Sequence, residues 1–396
     1  MPYDRRLLES PKAFSTLRER NGAVYEGLNF TASDYLGLSS HPLVKQAAMA
    51  AIHRFGAHSA GSAALAGMTE GSDALARDLG KLLHLPHVAL FPSGWTAGYG
   101  AMRALVRPND VVLMDACISS GIRSGATASS CRSVTFRHLD TDHARFCLRR
   151  LRTLHKNQAI FVATCSLFPI DGTSADLTSL HTLCEEYNAC LIVDAAHDTG
   201  CIGPEGGGEL ELQSLQGKIP VVIGSLSKSL ASNGGFVAVQ QAELCDYVRA
   251  CAPTHLFSSA LSPAQVASAS QALAIVRSPE GSARRAALRR AVIALRAALV
   301  ENALEPGGSL GPFVVVPIGS EVVARHAVRL CSEQGVLLTL LETPLVSRGK
   351  SRLRLQLMAG HEPILMPEIA KKISNMIAEA HLLASENDAT RTLEHV

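Results

Sequence analysis

A lysine and an aspartate each follow an apolar strand pattern, and together they could do covalent chemistry. Lys228 lies just beyond the strand pattern 220–223, and Asp194 and His197 follow the strand pattern 190–193. In α/β proteins, reacting groups gather at the carboxyl ends of strands. An amine, a carboxylate and an imidazole at this edge suit a cofactor held as a Schiff base, with the carboxylate facing its ring nitrogen.

Two further groups could hold a phosphate on such a cofactor. Ser225 precedes Lys228 by one turn's length, and Ser93, Gly94 and Trp95 open a helical pattern directly after a strand pattern. Backbone N–H groups at a helix start bind anions. Each signal is weak by itself, since a lysine after a strand is usually a solvated charge and an aspartate there often only caps a helix. Their combination and order indicate a cofactor site.

The elements that must position these residues alternate between strand and helix patterns from about residue 46 to 250. This alternation predicts an α/β fold with a mainly parallel central sheet and helices on both faces. The strand patterns are 88–91, 111–114, 160–163, 190–193, 221–223 and 236–239. Further strand patterns at 313–316, 336–339 and 353–357 predict a smaller α+β C-terminal domain. We predict an N-terminal arm at 1–45, a large cofactor-binding domain at 46–255, the small domain at 256–385 and a polar tail at 386–396.

The composition narrows the class of protein. With 396 residues, 47% hydrophobic and 18% charged, the chain reads as a compact globule of about two domains. The formal net charge is +2, and the arginines at 284–285 and 289–290 read as a solvated helix face, so we predict no nucleic-acid partner. No apolar run approaches the length of a membrane span. Ten cysteines without a C-x-x-C pair, and no apolar signal region, favour core cysteines in a reduced cytoplasmic protein and no metal site.

From Asn29 to His361 the chain resembles the α-oxoamine synthases, pyridoxal-phosphate-dependent acyltransferases of fold type I. Six segments carry the resemblance, in the family's order. Residues 29–38 are similar to N-F-x-S-N-D-Y-L-G-L, 55–62 to Y-G-x-G-x-x-G-S, 194–200 to D-D-A-H-G-T-G, 225–228 to T-x-x-K, 257–261 to F-S-T-A-L, and 352–355 to R-L-R-L.

The resemblance implies a role for each matching residue. Lys228 would form the Schiff base with pyridoxal phosphate, Asp194 would pair with the ring nitrogen, and His197 would hydrogen-bond the ring's phenolic oxygen. Arg354 would bind the carboxylate of an amino acid substrate, a task suited to a planar guanidinium.

The resemblance also implies how the phosphate is held. Gly94, Trp95 and Ser225 would bind it within one subunit. Ser259 would reach the phosphate of the neighbouring subunit, so the active unit would be a homodimer with shared sites.

Five positions at the expected cofactor face and substrate side depart from the family pattern. Ser119 stands where a histidine usually stacks on the cofactor ring, and Ser33 stands where an asparagine touches the substrate. Ala63 replaces an arginine, and Cys165 and Pro169 replace an acidic residue and a serine near the ring. The anchoring residues remain, which favours a rebuilt pocket over lost activity.

The expected reaction joins an amino acid to an acyl thioester, usually with decarboxylation, and gives an α-amino ketone. The amino acid, the acyl chain and the choice between coenzyme A and a carrier protein as donor stay open. Two alternatives also stay open at this point. One is another fold type I reaction, of aminotransferase or aldolase type, and the other is a non-catalytic partner subunit of a synthase.

Overall fold

The computed structural model describes residues 4–393, and their side chains as far as residue 386. The strands are, in chain order, β1 (Arg6–Leu7), β2 (Phe14–Arg18), β3 (Val24–Asn29), β4 (His87–Phe91), β5 (Val111–Asp115), β6 (Arg132–Phe136), β7 (Ile160–Cys165), β8 (Cys190–Asp194), β9 (Val221–Ser225), β10 (Gly235–Val239), β11 (Phe313–Gly319), β12 (Val336–Leu337), β13 (Thr339–Leu341) and β14 (Ser351–Gln356). The helices are α1 (Pro42–Phe55), α2 (Glu70–Leu83), α3 (Gly94–Leu105), α4 (Ser120–Ala128), α5 (Thr141–Leu154), α6 (Leu177–Glu186), α7 (Glu209–Leu212), α8 (Ala242–Cys251), α9 (Pro253–Leu256), α10 (Pro263–Val276), α11 (Pro279–Glu301), α12 (Glu321–Glu333) and α13 (Met366–Leu393).

The chain divides into two compact units. The first contains the described residues up to 40, together with 170–173 and those from 283 onward, and the second contains 41–169 and 174–282. The sequence assigned 256–282 to the small domain, whereas α10 packs against α1 and α2 in the second unit. The backbone of α13 continues to Leu393, into the segment 386–396 that the sequence predicts as a polar tail. Residues 394–396 of that segment lie outside the described residues.

The second unit is built on a seven-stranded sheet with the order β4-β10-β9-β8-β7-β5-β6. The five strands from β9 to β6 are parallel, and β10 runs antiparallel between β9 and β4. Each strand pattern predicted for the large domain is a strand of this sheet, and the mainly parallel α/β architecture is confirmed. Because β8 and β9 are parallel neighbours, their carboxyl ends, which carry Asp194 and Ser225, lie side by side.

The first unit contains two smaller sheets, β1-β2-β3-β12 and β11-β14-β13. The predicted N-terminal arm supplies β1, β2 and β3, and β12 pairs parallel with β3. Helix α13 buries one apolar face, on which Ile369, Ile373 and Ile377 are each at most 8% exposed. No helix among the described residues is both long and apolar enough to cross a bilayer.

The prediction of a solvated arginine face on α11 is wrong at its first pair. Arg285 is 8% exposed, and the Nη1 of Arg284 donates a hydrogen bond of 2.9 Å to the carbonyl oxygen of Leu36. Both arginines thus serve the packing of the first unit. Arg284 can do so because its long side chain reaches the backbone carbonyl of Leu36.

Gly224 in β9 lies directly opposite Phe236 in β10, and we expect Gly224→Ala to destabilise the second unit. A Cβ at position 224 would lie 2.1 Å from Cζ of the fully buried Phe236 ring. The overpacking should lower the free energy of unfolding by about 1–3 kcal/mol in a urea titration. Adding Phe236→Leu should recover part of the loss. Gly360→Ala is the control, because its Cβ meets nothing closer than 3.5 Å, and an equal effect there would contradict the packing argument.

Candidate active site

The end of β8 brings Asp194, Lys228 and Ser119 together in the second unit. Burial raises the pKa of the Asp194 carboxyl, while Ser119, Lys228 and the backbone N–H of Ala196, in that order, lower it. The N–H of Ala196 donates to Oδ1 of Asp194 at 3.0 Å. The Ser119 hydroxyl is buried beside this carboxylate but forms no well-aligned hydrogen bond within the described chain. A carboxylate held at a sheet edge with an amine nearby can balance the charge on a protonated ring nitrogen.

The start of α3 and the end of β9 form a cradle suited to a phosphate. Ser93 caps α3, because its Oγ accepts the N–H of Thr96 at 3.1 Å. The N–H groups of Gly94 and Trp95 stand in the first turn, where a helix offers them no carbonyl partner. A Cβ at Gly94 would lie 2.9 Å from Cβ of Ser225, so this approach of the two backbones requires glycine. The Ser225 hydroxyl lies 2.8 Å from that of Ser227.

His197 follows β8, the strand that ends at Asp194, and Cys165 lies at the end of the neighbouring strand β7. His197 is half-buried in the turn after β8, and its carbonyl oxygen accepts from the Cys201 thiol at 3.5 Å. Cys165 ends β7 and pairs in register with Asp194. Burial, and then the Asp194 carboxylate, raise the pKa of the Cys165 thiol well above its usual range. Cys165 is therefore an uncharged group where the family pattern has an acid.

Ser259 lies in a pair of adjoining loops of the second unit. It forms an isolated antiparallel bridge with Ser62, and the N–H of Ala260 donates to the carbonyl of Gly61 at 2.9 Å. Ala63, on the same loop, lines a small cavity together with Ser259. Ser259, a predicted phosphate ligand, and Ala63, a departure from the family pattern, thus line the same cavity.

Several polar groups around these loops have no hydrogen-bond partner within the described chain. They are the hydroxyls of Ser59 and Ser62 and both ring nitrogens of His255. Two large apolar side chains of the same loops are almost fully exposed: Leu65 at 85% and Phe257 at 86%. We call Leu65 and Phe257, with the loops that carry them, the Phe257 surface.

The first unit contains the other two predicted site residues, Arg354 and Ser33. The Arg354 guanidinium lies over the Phe313 ring, 5.8 Å from the ring centre. Burial lowers the pKa of Arg354, and Tyr35 partly opposes that shift. The Ser33 hydroxyl donates to Oε1 of Gln356 at 2.7 Å, so its hydrogen is directed within the unit.

Sequence reasoning missed the surroundings of Asp115, at the end of β5. Its Oδ1 accepts the N–H of Cys117 at 2.7 Å and lies 2.7 Å from Nδ1 of His138, and its Oδ2 accepts the N–H of Leu139 at 3.0 Å. Asp115, Cys117 and His138 offer ligand atoms within 4.8 Å of one another. Because the carboxylate already serves these donors, we assign it to holding the loops beside Ser119. An acid at a strand end was the signal available in the sequence.

A mainly parallel sheet with a lysine, an aspartate and a phosphate cradle at its carboxyl edge defines the fold type I class of pyridoxal-phosphate-dependent transferases. The chain matches the family described as aminotransferase class I and II over residues 25–373. It is 34% identical to 8-amino-7-oxononanoate synthase of Geobacter sulfurreducens over 332 residues, 84% of either chain. It is 33% identical to the enzyme of that name from Methylococcus capsulatus over 358 residues, 90% of either chain.

A solved structure shows the same fold. Serine palmitoyltransferase of Sphingomonas wittichii superposes with a TM-score of 0.89 at 22% identity, covering 96% of this chain and 94% of that one. The chain belongs to the class I and II aminotransferase family and, within it, to the α-oxoamine synthases.

Proposed function

We propose that the protein condenses an amino acid with an acyl thioester, using pyridoxal phosphate, usually with decarboxylation, to give an α-amino ketone. The observation that carries the proposal is the gathering of Asp194, Lys228 and the phosphate cradle at one edge of the sheet. The relatives named 8-amino-7-oxononanoate synthase support acyl transfer over the other reactions of this fold.

The residues at this edge fit pyridoxal phosphate. The N–H groups of Gly94 and Trp95 and the hydroxyl of Ser225 would bind its phosphate. Asp194 would pair with its ring nitrogen, and Lys228 would supply the amine for the covalent link. When bound, the cofactor supplies an electron sink for the bond broken at the substrate's α-carbon.

The chain's own residues would then bind substrate and move protons. Arg354 would bind the amino acid carboxylate through two parallel hydrogen bonds. The Lys228 amine, released by the substrate amine, would take up or return a proton at the α-carbon. His197 would hydrogen-bond the phenolic oxygen of the ring and donate to the oxyanion that develops on the thioester carbonyl. Ser33 would contact substrate through the oxygen whose hydrogen is directed to Gln356.

The ten cysteines form no disulfide in the part of the chain that the structure describes. Proteins of a reducing compartment keep their cysteines as thiols. We therefore propose a cytoplasmic location.

Release of free thiol tests the reaction. Protein loaded with pyridoxal phosphate should release thiol from an acyl-CoA or acyl-carrier thioester when a suitable amino acid is also present, and neither substrate should suffice by itself. An aminotransferase would instead need a keto acid, and an aldolase-type enzyme would cleave a β-hydroxy amino acid without thioester. A non-catalytic subunit would release no thiol with any pair, and that outcome would refute the proposal.

Lys228→Ala should abolish the visible absorbance that reports covalent attachment of pyridoxal phosphate, because no amine then remains at the end of β9. Turnover should fall by roughly 10³-fold or more, because an essential covalent group is lost. Lys218→Ala is the matched control, since Lys218 is an exposed lysine of the same unit. Survival of the absorbance in Lys228→Ala would contradict the assignment.

We also propose that the active unit is a homodimer covered at the Phe257 surface. Exposure of Phe257 and Leu65 in water is unfavourable. Ser59 and Ser62, whose hydroxyls have no partner within the described chain, lie in the loop that carries Leu65, and His255 lies in α9, two residues before Phe257. A second copy would cover the apolar groups and bring Ser259 to the neighbouring phosphate.

Phe257→Asp should therefore shift the protein from dimer to monomer in sedimentation experiments at micromolar concentration, because a charge would have to be buried in the interface. The monomer should also bind pyridoxal phosphate more weakly, by roughly tenfold if Ser259 contributes one charge-assisted hydrogen bond. Leu154→Asp changes another exposed leucine, 61% exposed, and should stay dimeric. A monomeric wild-type protein would refute the proposed dimer.

A further inference from the structure

Asp198 is a buried acid that the reaction proposed above does not use. It directly follows His197 in the turn after β8, and it is 0% exposed. The family pattern D-D-A-H-G-T-G has glycine at this position, so the carboxyl group of Asp198 departs from that pattern. A buried carboxyl without a catalytic task needs a structural account.

One of the two carboxyl oxygens of Asp198 has a partner and the other does not. Oδ2 accepts the backbone N–H of Glu209 at 2.8 Å. Oδ1 is buried without a hydrogen-bond partner among the described residues. Gly208 approaches so closely that an added Cβ would lie 2.7 Å from Oδ2, and its φ of +74° also favours glycine. The loop 203–208 thus closes directly over the acid.

The surroundings of Asp198 favour its neutral form. Burial raises its pKa to about 7, the carboxylate of Glu209 contributes to the rise, and the N–H of Glu209 and the Ser166 hydroxyl oppose it. Glu209 on α7 and Cys165 at the end of β7 interact electrostatically with Asp198, and His197 directly precedes it in the chain. Glu209 has its own donor, the Ser174 hydroxyl at 2.8 Å.

We propose that Asp198 is a proton-linked latch: with its proton in place it holds the loop 203–208 closed over the turn that bears His197, and loss of the proton favours the open loop. An anion at this position needs water at Oδ1, and water reaches that oxygen when the loop moves. The latch rests on the proposed function solely in the catalytic role given to His197. Asp198 acts as a positioning residue for His197.

The direction of the pH effect follows from linkage. In the open loop Asp198 is solvated and titrates near the ordinary value of about 3.9, whereas in the closed loop it titrates about three units higher. The closed loop is therefore favoured most at acid pH. Its advantage is lost as the pH rises towards 7, and above that pH both forms are ionised and nothing further changes.

Hydrogen exchange tests the latch in the full chain, with and without pyridoxal phosphate. Two amides report on the loop. The N–H of Gly200 donates to the carbonyl oxygen of Gly206 at 2.7 Å, and the N–H of Gly208 donates to the carbonyl oxygen of Ile202 at 2.9 Å. Corrected for intrinsic rates, the opening constant should rise by up to about tenfold per pH unit from pH ~5.5 and level off above pH ~7. In Asp198→Asn, which cannot ionise, it should not change with pH.

Glu211→Gln is the matched control. The Glu211 carboxylate accepts the N–H of Gly207 at 2.8 Å and so holds the same loop from another element. Its amide variant should exchange faster at every pH while keeping the wild-type slope. A flat wild-type profile, or the wild-type slope in Asp198→Asn, would overturn the latch. Failure of the proposed function would show separately, as absence of cofactor binding beside an unchanged profile of the cofactor-free protein.

Discussion

The charge balance between Asp194 and Lys228 is the constraint on which the candidate site depends. Burial at the strand end disfavours the ionised carboxylate, and the nearby amine and the Ala196 N–H offset part of that cost. A parallel sheet makes this balance possible, because it sets the carboxyl ends of β8 and β9 side by side while the strands themselves are buried. A cofactor with a protonated ring nitrogen would complete the compensation of the carboxylate charge.

The sheet could be predicted from the sequence because its central strands are covered by helices. Buried parallel strands read as short apolar runs, and all such runs between residues 88 and 239 proved to be strands. The edge strand β6 was missed, since its residues are largely exposed and polar and its sole pairing is with β5. The strands β2 and β3 were missed as well: both are partly exposed, and the second partner of β3 is β12, some three hundred residues away, a pairing that no local pattern carries.

Candidate site residues could be named from the sequence, whereas their surroundings could not. The order of Asp194, His197, Ser225 and Lys228 in the chain was enough to indicate a cofactor, and the structure brings Asp194 near Lys228. The protonation state of Asp198 could not be predicted from the sequence, because it depends on the close approach of Gly208 and on the N–H of Glu209. Contacts of this kind form where a loop folds back on the preceding turn, and strand or helix periodicity does not predict them.

The departures around the expected ring position shift the work of holding a cofactor towards other groups. Ser119 and Cys165 are small and uncharged where the family pattern has an imidazole and an acid, so neither stacking nor a second nearby carboxylate contributes there. Asp198 stands where the family pattern has glycine. While its carboxyl group is protonated, it adds no negative charge beside Asp194. Binding would then rest chiefly on the phosphate cradle of Gly94, Trp95 and Ser225 and on the covalent link to Lys228. Anchors at the phosphate and at the amine would leave the ring face free to change with the substrate while they themselves stay fixed.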